Sequence, residues 1–343
     1  MKTKKLISLI LSLSLVLGSV ACSNETKESA EGTTYAVPLY TEEESEYEYT
    51  EPVTIETESP KSHYSEGLDI LSLGDGTAIV IGMGSCSDTK VVIPPETPNG
   101  DKVTEIDKEA FANNASLREV TIPDSVYRIG YGAFSYCENL IKVNIPDSVT
   151  QIDNSAFKYC TSLQCETLPD SVTTPGSGLF EDCSSITRFV IPAGWTEIPA
   201  NMFACCRNLS EVVIPDSVTS IGSGAFITCE SLAEIKLPNG LKHLGSLSFS
   251  NSGLTSIVIP ESLESTYFYY DGEYSYGLVN NTFESCKQLR IVEIPKHLID
   301  EIIERKDAKG YGEAMLKYFR NCNSIRKVNG VDEGPDQWVA SVS

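Results

Sequence analysis

Cysteine is the first residue type in this sequence that could carry chemistry, and most of its copies are regularly spaced. Seven of the 11 cysteines follow a phenylalanine by three residues: Cys137, Cys160, Cys183, Cys206, Cys229, Cys286 and Cys322. A column of this kind could supply stacked disulfides or a metal site. Side chains that project in parallel from successive units, however, point into a core and not at one another. We therefore expect small, buried, free thiols, with disulfides and metal binding as the alternatives.

The residues that catalysis usually needs are scarce. The sequence contains three histidines, His63, His243 and His297, and none has a nucleophile at the spacing of a known motif. It has no histidine cluster, no glycine-rich phosphate loop and no dinucleotide fingerprint. Carboxylates are so numerous that no acid–base pair stands out. We expect no catalytic residue, no metal and no cofactor, and hence a protein that is not an enzyme.

Tyrosine is concentrated in one short segment. Five tyrosines lie within residues 267–276: Tyr267, Tyr269, Tyr270, Tyr274 and Tyr276. Tyrosine offers a large contact area at a low cost in side-chain entropy, which suits recognition loops. We predict that this segment binds a ligand. The alternative is that two of these rings pack on the flank of the fold while the others are merely exposed.

An internal repeat of 23 residues must position these side chains. Ile–Pro or Leu–Pro pairs begin at Ile122, Ile145, Leu168, Ile191, Ile214 and Leu237. Phenylalanine recurs in the same phase at Phe111, Phe134, Phe157, Phe180, Phe203, Phe226 and Phe249, then at Phe283 and Phe319. Repeats at a fixed period of 20–50 residues are typical of solenoids.

One unit shows how the chain turns. Val143 and Ile145 alternate as in a half-buried strand, and Pro146 ends that strand because it has no N–H for a ladder. The chain then returns toward the start of the next unit through a segment that contains Ile152 and Phe157. The predicted fold is a repeat solenoid, a right-handed coil with a parallel β-sheet on one face and an irregular or 3₁₀ convex side.

The outward strand positions include two adjacent valines. Val190 and Val213 lie 23 residues apart and should be neighbours on the exposed sheet, where they would form an apolar strip for ligand binding. The alternative is that β-branched residues stand there only because strands favour them.

Several units depart from the pattern. Glu166 stands where other units have an inward apolar residue, Pro175 replaces the apolar residue of the return segment, and Trp195 occupies the Val149 position. The column cysteine is lost around Ser250 and Asn251. We expect the middle units to be the least regular.

The N-terminus has the features of an export signal. Residues 1–21 combine three lysines with an apolar stretch and small residues before Cys22, as in a bacterial lipoprotein signal whose cysteine becomes lipid-modified. An ordinary secretory signal is the alternative. Removing those lysines changes the net charge from −22 to −25, so nucleic acid is not expected as a partner.

The remaining boundaries follow from composition. Residues 22–65 are rich in glutamate, threonine and serine and predict a lipid-anchored, disordered linker. The solenoid is predicted over 66–330, with insertions at about 261–282 and 297–318, the second of which looks helical. Residues 331–343 form a C-terminal tail.

The repeat resembles the leucine-rich repeat of bacterial BspA-like surface proteins, on the motif Leu-x-x-Val-x-Ile-Pro of residues 140–146 and its copies. The segment from Leu71 to Phe111 resembles the first coil of that family. The resemblance implies a surface protein that binds a protein or glycan on a host or neighbouring cell. The N-terminal signal predicts that this protein lies on the extracellular face of the envelope and touches the membrane only through its lipid. The alternatives are a structural envelope scaffold without a host ligand and a hydrolase with its site in the insertions.

Overall fold

The computed structural model describes residues 64–264, 267–270, 273–276, 281–298 and 319–329. All of them belong to one compact unit, Ser59–Ser343. The predicted signal peptide, Cys22, most of the predicted linker and the C-terminal tail lie outside the described residues. Ser65, which we placed at the end of the linker, is 7% exposed and is hydrogen-bonded to Val92. The folded array therefore includes this residue.

The fold is built from short strands joined by turns. In chain order they are β1 (Asp69–Ser72), β2 (Thr77–Gly82), β3 (Lys90–Val92), β4 (Lys102–Ile106), β5 (Glu119–Thr121), β6 (Arg128–Ile129), β7 (Lys142–Asn144), β8 (Gln151–Ile152), β9 (Thr174–Pro175), β10 (Arg188–Val190), β11 (Glu197–Ile198), β12 (Glu211–Val213), β13 (Ser220–Ile221), β14 (His243–Leu244), β15 (Ser256–Val258), β16 (Tyr267–Tyr270), β17 (Glu273–Tyr276), β18 (Ile291–Glu293) and β19 (Lys327–Val328).

One side of the array, which we call the strand face, carries the strands that precede the Ile–Pro pairs. These strands pair in parallel as β3-β5-β7, β10-β12 and β15-β18-β19. Their register aligns equivalent repeat positions, such as Val91, Val120 and Val143. The repeat solenoid with a parallel sheet on one face is confirmed.

The opposite side, the return face, is more regular than we expected from the sequence. It carries a second set of parallel strands, β2-β4-β6-β8-β9 and β11-β13-β14, most of them two residues long. Ile106, Ile129 and Ile152 are aligned across these strands and are fully buried. Between the strands, the described residues form hydrogen-bonded turns.

A stack of phenylalanine rings fills the interior. From Phe111 to Phe319, successive rings lie with centroids 5.1–5.9 Å apart and planes within 16° of parallel. Each ring in this column is at most 4% exposed. Offset stacking adds to the hydrophobic gain of burying each ring. The period of 23 residues is therefore the length of chain needed to return to the same place in the core.

Two residues in each unit adopt left-handed backbone conformations, one on each side of the phenylalanine. The first column is Glu109, Gly132, Ser155, Gly178, Asn201, Gly224, Leu247 and Asn281; the second is Asn113, Tyr136, Tyr159, Asp182, Cys205, Thr228, Asn251, Ser285 and Asn321. Backbone N–H groups at these positions donate to the next coil, as from Ser155 to Ser177 and from Tyr136 to Lys158. The left-handed turns thus direct the phenylalanine inward and link the coils.

The middle units are irregular, as predicted. The unit containing Glu166 has no strand on the strand face, and the Glu166 side chain is 78% exposed. On the return face the first sheet ends at Pro175, which has no N–H to donate to the following coil. Trp195 is buried, and its Nε1 donates to the Val172 carbonyl at 2.7 Å.

The ends and insertions complete the array. At the N-terminal end, β1 pairs antiparallel with β2 and covers the edge of the return-face sheet. The first insertion contains the antiparallel hairpin β16–β17. Of the predicted helical insertion, residues 297 and 298 are described and are helical, and the rest lies outside the described residues. Ser252 occupies the position of the missing column cysteine and is 4% exposed.

Candidate binding surfaces

The strand face brings the two predicted valines together. Val190 and Val213 are register partners on β10 and β12. Val213 is 42% exposed and Val190 is half-buried. Two further apolar side chains on this face, Val258 and Ile291, are 58% and 43% exposed. The apolar surface is therefore wider than the pair that we predicted.

Ion pairs accompany this apolar surface. Arg188 Nε lies 3.0 Å from Glu211, and its NH1 lies 3.9 Å from Glu166. Farther along the face, Lys90 pairs with Glu119 at 2.7 Å. All of these side chains are at least 42% exposed, so each pair adds little stability. The Arg188 pairs place both signs of charge on the same strands as Val190 and Val213.

The strand face is interrupted beside Val213. Within the described part of the chain, residues 234–237 donate no backbone hydrogen bond, so β12 and β15 are separated by a coil that has no strand. A shallow groove of about 440 Å³ lies here, lined in part by Glu211, Glu234 and Lys236. This interruption was not apparent from the sequence, because Ile235 fits the repeat.

The tyrosine-rich segment forms a hairpin with a defined register. Tyr267 is paired with Tyr276 and Tyr269 with Tyr274, while Tyr270 is paired with Glu273. Residues two apart on a strand share a face, so Tyr267, Tyr269, Tyr274 and Tyr276 share one face of the ribbon. Tyr270 belongs to the other face. Four of the five predicted tyrosines are thus grouped by the backbone.

Besides Tyr64, three further tyrosines are exposed in the first half of the array, and we did not predict them from the sequence. Tyr127, Tyr131 and Tyr136 are 45%, 50% and 43% exposed. Tyr136 stacks on Tyr159 with ring centroids 4.7 Å apart. The spacing of 23 residues between Tyr136 and Tyr159 was a signal that could have revealed this pair.

Charged groups surround the Tyr136–Tyr159 stack. Lys158 Nζ lies 2.9 Å from Glu181 and 5.7 Å from the centroid of the Tyr159 ring. Burial, the largest single effect, lowers the pKa of Lys158, but the hydrogen bond to Glu181 and the charge interactions with Glu181, Tyr136 and Tyr159 together outweigh it, so the pKa is raised. Burial, with the nearby Glu181 carboxylate, raises the pKa of Asp182. The Tyr136–Tyr159 stack therefore lies beside the Lys158–Glu181 ion pair and the Asp182 carboxyl group.

The cysteine column lies in the core, as predicted. Cys137, Cys160 and Cys183 are fully buried free thiols, and each donates to the carbonyl of the phenylalanine one coil earlier, at 3.0–3.1 Å. Burial raises the pKa of Cys137 from 9.0 to about 11 and also raises the pKa of Cys160 and Cys183. These thiols are neutral hydrogen-bond donors and not nucleophiles.

Two of the three histidines lie in the described part of the chain, and Nδ1 of His297 is 3.7 Å from a Glu261 carboxylate oxygen. His297 Nε2 lies 2.9 Å from the Leu263 carbonyl, and His243 lies on β14. His63 is outside the described residues. Among the residues that the structure describes, no group of three His, Cys, Asp or Glu side chains could hold a metal ion. In the same residues, no helix is long and apolar enough to cross a membrane.

The comparisons with known proteins agree with this architecture. The family model described as "BspA type Leucine rich repeat region (6 copies)" matches residues 85–207 and 196–305. A search of the curated proteins found no match.

Among solved structures, a leucine-rich repeat protein from Bacteroides ovatus is 25% identical with a TM-score of 0.52; the match covers 78% of this chain and 70% of that one. A leucine rich cell surface protein from Faecalibacterium prausnitzii is 22% identical over 82% of this chain and 97% of that one, with a TM-score of 0.37. Because the family model spans well over half of the sequence, the chain belongs to the BspA-type leucine-rich repeat proteins.

Proposed function

We propose that this protein is a cell-surface binding protein that engages a protein or glycan through the hairpin β16–β17 and the strand face. The observation that carries the proposal is the register of the hairpin, which groups Tyr267, Tyr269, Tyr274 and Tyr276 on one face. Aromatic residues of this kind dominate the energetics of many interfaces. The exposed Val213 and Val258 on the strand face add apolar area to the proposed surface.

Attachment to the envelope is part of the same proposal. Cys22, preceded by an export signal, would carry the lipid and hold the protein on the extracellular face. The acidic residues that follow would extend the chain by mutual repulsion and lift the solenoid from the membrane. A Cys22→Ala variant should be released from the membrane fraction and lose incorporation of labelled palmitate. Retention of both would remove the lipid anchor from the proposal.

The hairpin is tested by changing one face at a time. A variant with Tyr267, Tyr269, Tyr274 and Tyr276 replaced by Ser is compared with Phe268→Ser/Tyr270→Ser, which alters the other face of the same ribbon. Both are applied to an array of host surface glycoproteins and to the envelope fraction of the producing cell. We expect the four-tyrosine variant to lose binding at least about tenfold and the control variant to keep it.

Each outcome has a distinct meaning. Loss of binding to host glycoproteins in the four-tyrosine variant alone supports adhesion. Loss of binding to the envelope fraction alone supports a scaffold that holds a partner in its own cell wall. Equal binding by both variants and the parent chain would contradict a role for this face of the hairpin.

A further inference from the structure

The return face carries a groove that is separate from the hairpin. Its volume is about 330 Å³, and its lining includes Tyr131, Gln151, Asp153, Asn154, Thr174 and Pro175. This volume is at the lower end of the range of about 300–1,000 Å³ for small-molecule sites. We propose that the groove binds a neutral carbohydrate, with one pyranose ring stacked on Tyr131.

The groove exists because the sheet ends there. Pro175 on β9 has no N–H for the next coil, and β9 is the last strand of its sheet. Gly176 follows and packs so closely on the preceding coil that an added Cβ would lie 2.3 Å from the Asn154 nitrogen. The groove therefore has no side chain at Gly176, and Tyr131 is one of its lining residues.

Tyr131 provides an aromatic surface. Its side chain is 50% exposed, and its hydroxyl makes no side-chain hydrogen bond among the described residues. The neighbouring Tyr127 differs, because its hydroxyl is bound to Glu105 at 2.5 Å. The C–H groups of a pyranose carry partial positive charge and are attracted to the negative face of an aromatic ring. An exposed tyrosine without an internal partner meets this requirement.

The polar side chains of the groove are held in place by neighbouring coils. Asp153 accepts hydrogen bonds from Gln151 at 2.7 Å and from Arg128 at 2.5 Å. Asn154 Oδ1 accepts from the backbone N–H of Ser177 at 2.8 Å. These contacts fix the side chains before any ligand binds, which lowers the entropic cost of binding.

The groups that remain available match sugar hydroxyls. The amide N–H₂ of Asn154 and the hydroxyl of Tyr131 are donors, and Oε1 of Gln151 and the second lone pairs of Asp153 are acceptors. A hydroxyl group is both donor and acceptor, so a ligand with several hydroxyls satisfies the two kinds together. An anion would use only the donors, and an ammonium group only the acceptors.

The charge of the groove also favours a neutral ligand. The carboxylate that lines it, Asp153, is already paired with Arg128, whose other nitrogen lies 2.8 Å from Glu105. A basic peptide would have to compete with this guanidinium for the carboxylate. A neutral sugar can accept or donate without breaking the pair.

The test is an array of neutral oligosaccharides, namely maltotriose, cellotriose, chitotriose and mannotriose, with heparin and hyaluronan fragments and a lysine-rich peptide as competitors. The purified full chain is compared with Tyr131→Ala, Asn154→Ala and Tyr131→Phe. Tyr136→Ala is the matched control, since it removes another exposed tyrosine of the same half of the array. Oligosaccharides that bind the protein on the array are then titrated by calorimetry, and thermal melts check that every variant is folded.

We expect at least one neutral oligosaccharide to bind, with affinity lowered about tenfold or more by Tyr131→Ala, as for the loss of an aromatic anchor. Asn154→Ala should weaken it, Tyr131→Phe should weaken it less than Tyr131→Ala because the ring is kept and only the hydroxyl is lost, and Tyr136→Ala should retain it. The four-tyrosine hairpin variant should also retain it, because this site is independent of the proposed hairpin site. Three outcomes would overturn the proposal. They are binding of only the acidic fragments or the peptide, no binding of any neutral oligosaccharide, and an affinity for the oligosaccharide that Tyr131→Ala leaves unchanged.

Discussion

At the scale of single residues, the repeat places demanding backbone conformations on residues that do not favour them. Thr228 has φ of 60° and Leu247 has φ of 57°, in columns where several other positions are asparagine or glycine. A left-handed conformation is sterically costly for a β-branched residue such as threonine. The N–H of Thr228 nevertheless donates to Ser250, which keeps the turn in place.

Replacing Thr228 by Asn should therefore stabilise the protein. Asparagine tolerates φ > 0 and already occupies the same column at Asn113, Asn251 and Asn321. We expect a gain of about 1 kcal/mol in the free energy of unfolding, measured as an increase in Tm. Thr187→Asn is the control, because Thr187 is exposed and does not have φ > 0. Equal shifts for both variants would show that strain at Thr228 is not the cause.

The buried thiols make stability depend on alkaline pH. The pKa of Cys137 is raised by burial from 9.0 to about 11. Below pH 9 the thiol is neutral in both the folded and the unfolded chain; between pH 9 and 11 only the unfolded chain ionises, so stability is lost as pH rises. We expect denaturant unfolding of Cys137→Ser to show a slope shallower by about 1.4 kcal/mol per pH unit in this window. Identical slopes for the parent chain and the variant would contradict this.

At the scale of elements, one side chain removes a strand. Glu166 lies 23 residues from both Val143 and Phe189, at the inward position, yet its side chain is 78% exposed. A carboxylate cannot be buried here without a partner, so the coil is displaced and its strand is lost. The Glu166 carbonyl still accepts from Val190 at 2.7 Å, so the chain stays in the array.

Glu166→Val should restore this strand and stabilise the protein by about 1–2 kcal/mol, the value of burying one valine side chain. Hydrogen exchange of the amides of residues 164–168 should slow, and Tm should rise. Glu211→Val is the control, because Glu211 also pairs with Arg188 but lies at an outward position. A similar gain in both variants would indicate strand propensity and not burial.

At the scale of the whole molecule, the array is stabilised coil by coil, and its ends are its weak points. Each coil contacts its neighbours through backbone ladders, the phenylalanine stack and the thiol–carbonyl hydrogen bonds. A terminal coil without a cover would expose a row of unpaired backbone groups. β1 provides that cover at the N-terminal end of the return face by pairing with β2.

Deleting residues 64–73 should therefore expose the edge of β2. We expect a lower Tm and concentration-dependent association, measured by light scattering after size-exclusion chromatography, because open edges pair with other chains. Deleting residues 23–63 instead leaves β1 intact and is the control. A monomeric first variant with an unchanged melt would show that β1 is not a cap.

The sequence by itself determined the solenoid, its period and its core. Inward positions such as Phe157 and Cys160 recur because every coil encloses the same space, and periodicity reveals them without any structure. The irregular unit was also predictable, since Glu166 and Pro175 break rules of burial and hydrogen bonding that act locally. The left-handed columns were not recognised, because residues as different as Tyr136, Asp182 and Thr228 share one backbone position.

Only the tertiary structure decided what lies on the surface. Apart from pairs such as Tyr136 and Tyr159, most outward residues do not recur with the period, so their grouping depends on which coils become neighbours and in what register. Tyr131, Asn154 and Thr174 belong to three successive coils and meet only because those coils stack. Likewise, the pairing of Tyr269 with Tyr274 depends on the register of the hairpin, which the composition of the segment did not specify.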